Sequence, residues 1–279
     1  VKTDGEYIYV MSEKNITIVR AYPPAEAEIL SQIKVNGTLL GVFINGDRLV
    51  AFEVESPYDV YSAFDEKPTI DSYIWRTIIK VYDIADRENP VSARNVSIDG
   101  GYFNSRMIGD YVYVVINQPA YIFKDDVPLP KICTDGLVAE ISPSDIYYSN
   151  VSDYGYSFTT IVAVNVQNDA QKPTHLPFLF GTTSNMYVSV NNIYITHPNT
   201  TCIEKMGITQ LRERTVIHRI RVQDDKIKYE ASGEVPGNVL NQFSMDECNE
   251  HFRIATTTGE VWGWGESTSK NHVYVLDLN

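Results

Sequence analysis

An all-β chain of repeated four-stranded antiparallel units is the fold class the sequence predicts, on three observations. First, the 279 residues almost never place apolar side chains at i, i+3, i+4 and i+7, the pattern of an amphipathic helix. Second, short runs rich in Val, Ile and Thr follow one another, and 19 Tyr and 10 Phe favour strands. Third, a Gly-Asp or Asp-Gly turn recurs just before an aromatic or aliphatic strand. It occurs as Asp4-Gly5 before EYIYV, Gly46-Asp47 before RLVAF and Gly109-Asp110 before YVYVV. Such dipeptides tolerate positive φ in tight hairpin turns. Looser copies are Asn191-Asn192 before IYIT and the turn before HFRIATT.

Each unit reads as strands a, b, c and d with tight a–b and c–d turns. Residues 4–35 supply b, c and d of one unit as EYIYVMS, NITIVRAY and AEILSQIKV. A full unit follows at 38–100 as TLLGVFING, DRLVAFEVE, RTIIKVYDI and ARNVSIDG. Two more occupy 101–180 and 184–236, and strands a, b and c of a last unit lie in 239–278. Strand c runs into a polar turn each time, in KVYDIADRENP, VAVNVQNDAQKP and HRIRVQDD. Several strands are apolar on both faces, which suits sheets stacked on both sides. The best helical candidate is IEKMGITQLR at 203–212, and Gly207 weakens it.

Four-stranded units repeating at 40 residues or more are the mark of a β-propeller. A β-sandwich would not repeat the same internal order. The expectation is a single propeller domain over 1–279, or part of one, with blade boundaries near 37, 100, 182 and 237. About four blades' worth of strands are present, and the ragged first and last units suggest a ring that this stretch does not close alone. Val1 in place of Met reads as a processed, trimmed or partial chain. The remainder of the ring is expected in another chain or in a cleaved part. A compact five-bladed ring is the alternative.

Blade length varies because the b–c connection swells, at 55–76, 117–157, 197–214 and 258–271. In a propeller the b–c and d–a connections share one face, so the insertions are expected to build up that face as a binding surface.

Composition limits the partners. A net charge of −13 argues against nucleic acid, and it disfavours acidic substrates and anionic membranes. No apolar run approaches the ~18 residues of a membrane-spanning helix. The sequons at Asn15, Asn36, Asn95, Asn150 and Asn199 are candidate glycosylation sites. Cys133, Cys202 and Cys248 show no zinc spacing. Cys133 and Cys202 fall on b–c insertions and so on one face, which favours a disulfide between them. Cys202–Cys248 is the second choice, and three unpaired thiols the third.

The segments VKTDGEYIYV, IVRAYPP, VYDIADRENP, SRMIGDYVYVV, ASGEVPGNVLNQFSMDE and RIATTTG add a resemblance. They are similar to a family of secreted, mainly archaeal proteins with a C-terminal β-propeller domain distantly related to WD repeats. The similarity covers nearly all of the chain except the insertions at 55–76 and 117–150. It implies an extracellular or cell-surface location and further blades beyond this stretch. It supplies no catalytic residues.

No residue pattern points to a reaction. The five His show neither HxxxH nor HxH spacing, there is no GxSxG, and His218 alternates with apolar residues as a packed strand residue would. Acidic residues in the insertions, such as Asp59, Asp65, Glu66, Asp71, Asp125, Asp126, Asp135, Glu140 and Asp145, read as a solvated rim. No cofactor is expected. A calcium site that stiffens the loops is the alternative, although no EF-hand spacing is present. The aromatics of the insertions are the binding-face candidates: Tyr58, Tyr61 and Trp75, then Tyr121, Tyr147 and Tyr148, then Trp262 and Trp264. Tyr and Trp anchor interfaces and stack on sugars. Arg106 and Asp246, on inner strands, are channel candidates. The expected function is a non-enzymatic extracellular interaction or assembly module whose partner is a protein, a glycan or another copy. A structural subunit of a surface layer or filament is one alternative. A propeller hydrolase or lyase with its site at the channel mouth is the other.

Overall fold

A computed structural model describes residues 1–56, 74–122, 126–148, 155–205, 208–259 and 268–278, the side chains of 202–212 excepted. They form five antiparallel-based sheets in chain order. The first holds β1 (Lys2–Thr3), β2 (Tyr7–Met11), β3 (Asn15–Arg20) and β4 (Glu28–Lys34). The second is built on β5 (Thr38–Asn45), β6 (Arg48–Glu55), β7 (Arg76–Asp83) and β8 (Val91–Asp99). The third is built on β9 (Gly101–Ile108), β10 (Tyr111–Pro119), β14 (Tyr156–Asn165) and β15 (Thr174–Gly181). The fourth holds β16 (Asn185–Val188), β17 (Asn192–Lys205), β18 (Ile208–Gln223) and β19 (Lys226–Pro236). The fifth holds β20 (Met245–Cys248), β21 (His251–Thr258) and β22 (Lys270–Asp277).

Strand alternation explains how the sheets stack. In β10, Val112, Val114 and Ile116 enter a core shared with Val50 and Phe52 of β6. The intervening Tyr113 and Val115 enter a second core with Ile193 and Ile195 of β17. Successive side chains of a strand point to opposite faces, so a strand apolar at every position serves two interfaces. A third core joins Tyr9, Ile16 and Ile18 of the first sheet to Leu49 and Ala51 of the second. A fourth joins Tyr194 and Ile217 of the fourth sheet to Phe252 and Ile254 of the fifth. Each sheet thus packs on the next. Among the described residues no apolar core joins the fifth sheet to the first.

Four departures from the sequence reading stand out. The first sheet carries a short strand a, because Lys2 and Thr3 pair with Tyr9 and Ile8. The 203–212 segment is not helical: β17 and β18 run on as a long hairpin through Lys205 and Ile208. Its β-branched and alternating residues favour strands.

The 117–157 insertion does not simply build up one face. Within it, β11 (Lys131–Thr134) and β12 (Leu137–Glu140) form a hairpin that pairs with β8, at the outer edge of the preceding sheet. It returns as β13 (Tyr147–Tyr148), parallel to β15 at the outer edge of its own sheet. Unpaired edges invite such strand addition. Ile132 and Ile141 of this excursion join the core between the second and third sheets.

The fourth departure follows from the third. The Cys133–Cys202 disulfide is absent, and Cys133 and Cys248 are free thiols. β11 carries Cys133 to the outer sheet edge opposite Ser97, whereas Cys202 pairs with Leu211 within the β17–β18 hairpin.

Candidate functional site

The two ends of the sheets are built differently. At the end bearing the a–b and c–d turns, polar side chains stitch each sheet to the next. Arg87 bridges Asp4 of the first sheet and Asp47 of the second. Arg48 reaches Asp169 of the third sheet at 2.9 Å. Buried Arg94 donates to the carbonyl oxygens of Asn165 and Asn168, and also to that of Gln171. Tyr113 donates to the Asp224 carbonyl of the fourth sheet at 2.7 Å. Glu247 of the fifth sheet accepts from Ser189 at 2.8 Å, Asn192 at 3.0 Å and Tyr194 at 2.7 Å. Burial, and then the Glu247 carboxylate, push the Tyr194 phenol well above its ordinary range. This end is a fastening belt.

The opposite end, where the b–c and d–a connections lie, has a tight floor and an apolar rim. The floor is made where each d–a connection crosses strand b of the following sheet. Gly100 has φ +116°, and a Cβ there would meet Ile116 at 2.7 Å. Gly237 has φ +89°, and a Cβ there would meet the Thr257 carbonyl at 2.7 Å. Thr77 and Thr215, on strands c, donate to the Gly100 and Gly237 carbonyls at 2.9 and 2.7 Å. Glu53, 0% exposed, is held by Lys80 at 3.0 Å and accepts from the backbone N–H groups of Asn36 and Gly37. Burial, and then Glu53, raise the Tyr82 phenol to about 12. Asp99, also buried, is pushed up by burial against the opposing pull of Arg76.

The rim exposes large apolar side chains. Tyr121 is 73% exposed, Tyr148 77% and Phe243 86%, and Trp75, Ile122, Tyr156 and Leu240 also face solvent. Tyr121 follows Ala120, whose N–H bonds the Tyr156 carbonyl at 3.0 Å, so both residues lie at this end of the third sheet. Tyr147 differs from Tyr148, because its ring packs on Phe178 and Tyr229 at 5.7 and 5.4 Å. The other end exposes Tyr22, Val91 and Val190, which are scattered. Tyr58, Tyr61, Trp262 and Trp264 lie outside the described residues, as does Asn150.

Of the channel candidates, Arg106 on β9 donates to Asn104 at 3.0 Å and to Gln242 at 2.9 Å, the latter in the loop before β20. It therefore spans from the third sheet to the fifth. Asp246 pairs with Arg253 and lies 3.5 Å from the Tyr187 hydroxyl. Asn36 and Asn95 are exposed, Asn15 is half-buried and Asn199 is buried.

A groove of about 540 Å³ brings Ser144, Asp145 and His175 together. Ser144 hydrogen-bonds Ser142 and Asp145, however, and no described hydrogen bond links either residue to His175. Nucleophile, base and orienting acid are therefore not in series. No group of three or more His, Cys, Asp or Glu converges on a common point among the described residues. The sequence reading missed the crossing glycines. Their signal is a glycine within three residues after strand d in three of the four units, at Gly37, Gly100 and Gly237.

Successive twisted sheets, packed face to face with their first strands on one side, define the β-propeller class. A family model described as Beta propeller domain matches residues 1–279, and the chain belongs to that family. It is 22% identical to an uncharacterized protein of Archaeoglobus fulgidus over 99% of this chain and 52% of that one. It is 40% identical over 65 residues to the uncharacterized protein MJ1554 of Methanocaldococcus jannaschii, covering 23% of this chain and 10% of that one. The chain thus spans about half the length of the first of these relatives. The N-terminal domain of Nup159 superposes on 99% of this chain and 70% of its own with a TM-score of 0.31 and 6% identity.

Proposed function

We propose that this chain is a non-enzymatic, extracellular or cell-surface interaction module that presents its insertion-bearing end to a protein or glycan. One observation carries the reading. The end opposite the fastening belt exposes Trp75, Tyr121, Tyr148, Tyr156 and Phe243, while its floor is fixed by buried polar contacts. A rigid platform bearing amphipathic aromatics suits recognition, since such side chains supply contact area at low entropy cost.

The test is binding of the intact chain to a glycan array and to an overlay of envelope proteins. Tyr121→Ser combined with Tyr148→Ser should abolish binding without moving the melting temperature. Val190→Ser, at the other end, should leave binding unchanged. Retained binding by the double tyrosine variant, or turnover of the arrayed glycans, would overturn the proposal.

A second reading, a subunit that assembles through open sheets, is favoured by Val273 and Val275. Both are exposed on the face of β22 turned away from the fourth sheet, and β22 is the edge strand of the fifth sheet among the described residues. Concentration-dependent sedimentation that disappears in Val273→Lys would select it.

A further inference from the structure

His197 on β17 and His218 on β18 are both buried, and their Nε2 atoms lie 3.2 Å apart. The rings are nearly parallel, with centroids 5.3 Å apart. Phe180 of the third sheet stacks on both, at 5.1 Å from His197 and 4.5 Å from His218. His218 Nδ1 is 3.3 Å from the Tyr229 hydroxyl, and His197 Nδ1 is 3.3 Å from the Pro198 carbonyl. A carbonyl can only accept, so His197 must donate from Nδ1 and accept at Nε2. His218 then donates from Nε2 and accepts the Tyr229 proton at Nδ1. One pair of neutral tautomers thus satisfies the whole row.

An added proton breaks this row. With both Nε2 atoms protonated, two donors face each other across 3.2 Å in an apolar stack. We propose that the His197–His218 pair is an acid-sensitive latch, whose protonation separates the third and fourth sheets and frees the short strand β13. The route to β13 is direct. Tyr147 of β13 packs on Phe178 and Tyr229, the rings that flank His218 at 6.2 and 5.9 Å.

Among the described residues the surrounding groups are few. On β18 and β19, Arg214 and Glu234 share this face of the sheet and are paired with each other. Tyr229 and Tyr147 are the phenols at the stack, and His175 is the titratable side chain of β15. Burial, and then His197, hold His218 down at about 3. A lowered histidine contributes stability above its unfolded value of about 6.5 and loses it as pH falls toward the folded value. The opening equilibrium therefore rises about tenfold per pH unit below about 6.5, or about a hundredfold by pH 4.5.

Hydrogen exchange of the intact chain between pH 7 and pH 4.5, corrected for intrinsic rates, tests the latch. Acid should deprotect β13, β15 and β18 by about a hundredfold while the first sheet stays protected. His218→Gln should remove that dependence, and His175→Gln should keep it. An unchanged acid profile in His218→Gln, or opening that begins in the first sheet, would overturn the proposal. Should His218→Gln not fold, imidazole nitrogen shifts of the wild-type protein decide. A neutral His218 in folded protein at pH 5 supports the latch, and a folded imidazolium there refutes it.

Discussion

The two ends of the sheets solve opposite problems with the same repeated unit. At the turn end, polar side chains of one sheet are satisfied by the backbone or carboxylates of a neighbouring sheet, as with Arg87, Arg94 and Glu247. At the insertion end, the polar contacts withdraw to a floor at the d–a crossings, and the rim above is left apolar. Buried polar groups must find partners, so the belt and the floor are places where a change is costly. Exposed aromatics carry no such obligation. The difference separates what holds the sheets together from what is available to a partner.

The belt should show the largest effects. Arg94 is 2% exposed and serves three carbonyls of the neighbouring sheet. Burial lowers the affinity of its guanidinium for its proton, the mark of a desolvated charge. Arg94→Ala should cost about 3 kcal/mol in urea unfolding, because those carbonyls lose their donor and a cavity is left. Arg94→Lys should recover only part, since an ammonium lacks the planar fork. A loss below about 1 kcal/mol would mean that the belt is not a fastening.

The floor comes next. Glu53→Gln leaves the half-buried Lys80 without its carboxylate and should cost about 2 kcal/mol. Adding Lys80→Met should restore most of the loss, because the buried pair is then replaced by uncharged groups. Additive single effects would show that the two side chains are not coupled. Gly237→Ala should cost about 1–2 kcal/mol, since both the positive φ and the 2.7 Å approach to Thr257 oppose a Cβ. A neutral result would mean that the crossing can relax.

Much of this frame was legible in the sequence. The alternation in YVYVVIN forecasts a strand used on both faces, and Val112 and Tyr113 do enter different cores. Asp135-Gly136 carries the same hairpin signal as the a–b turns, with φ of +48° and +87°. What the sequence hides is docking. Nothing local tells the β11–β12 hairpin to pair with β8 rather than to stand on the insertion face, because edge pairing is decided by which edge is open. The histidine pair is hidden for a similar reason. Its members are 21 residues apart in sequence, and only the cross-strand register of β17 and β18 brings their rings together.

The rim should give the smallest stability effects and the largest functional ones. Tyr121 and Tyr148 are mostly exposed, so replacing each with Ser removes little buried area and should shift unfolding by no more than about 0.5 kcal/mol. Tyr147→Ser is the informative control, because it lies one residue away yet packs its ring on Phe178 and Tyr229. It should cost about 1–2 kcal/mol through lost aromatic packing. If Tyr148→Ser proved as costly as Tyr147→Ser, the rim would belong to the frame. Its aromatics would then be core residues of the insertion, and the separation between the two ends would fail.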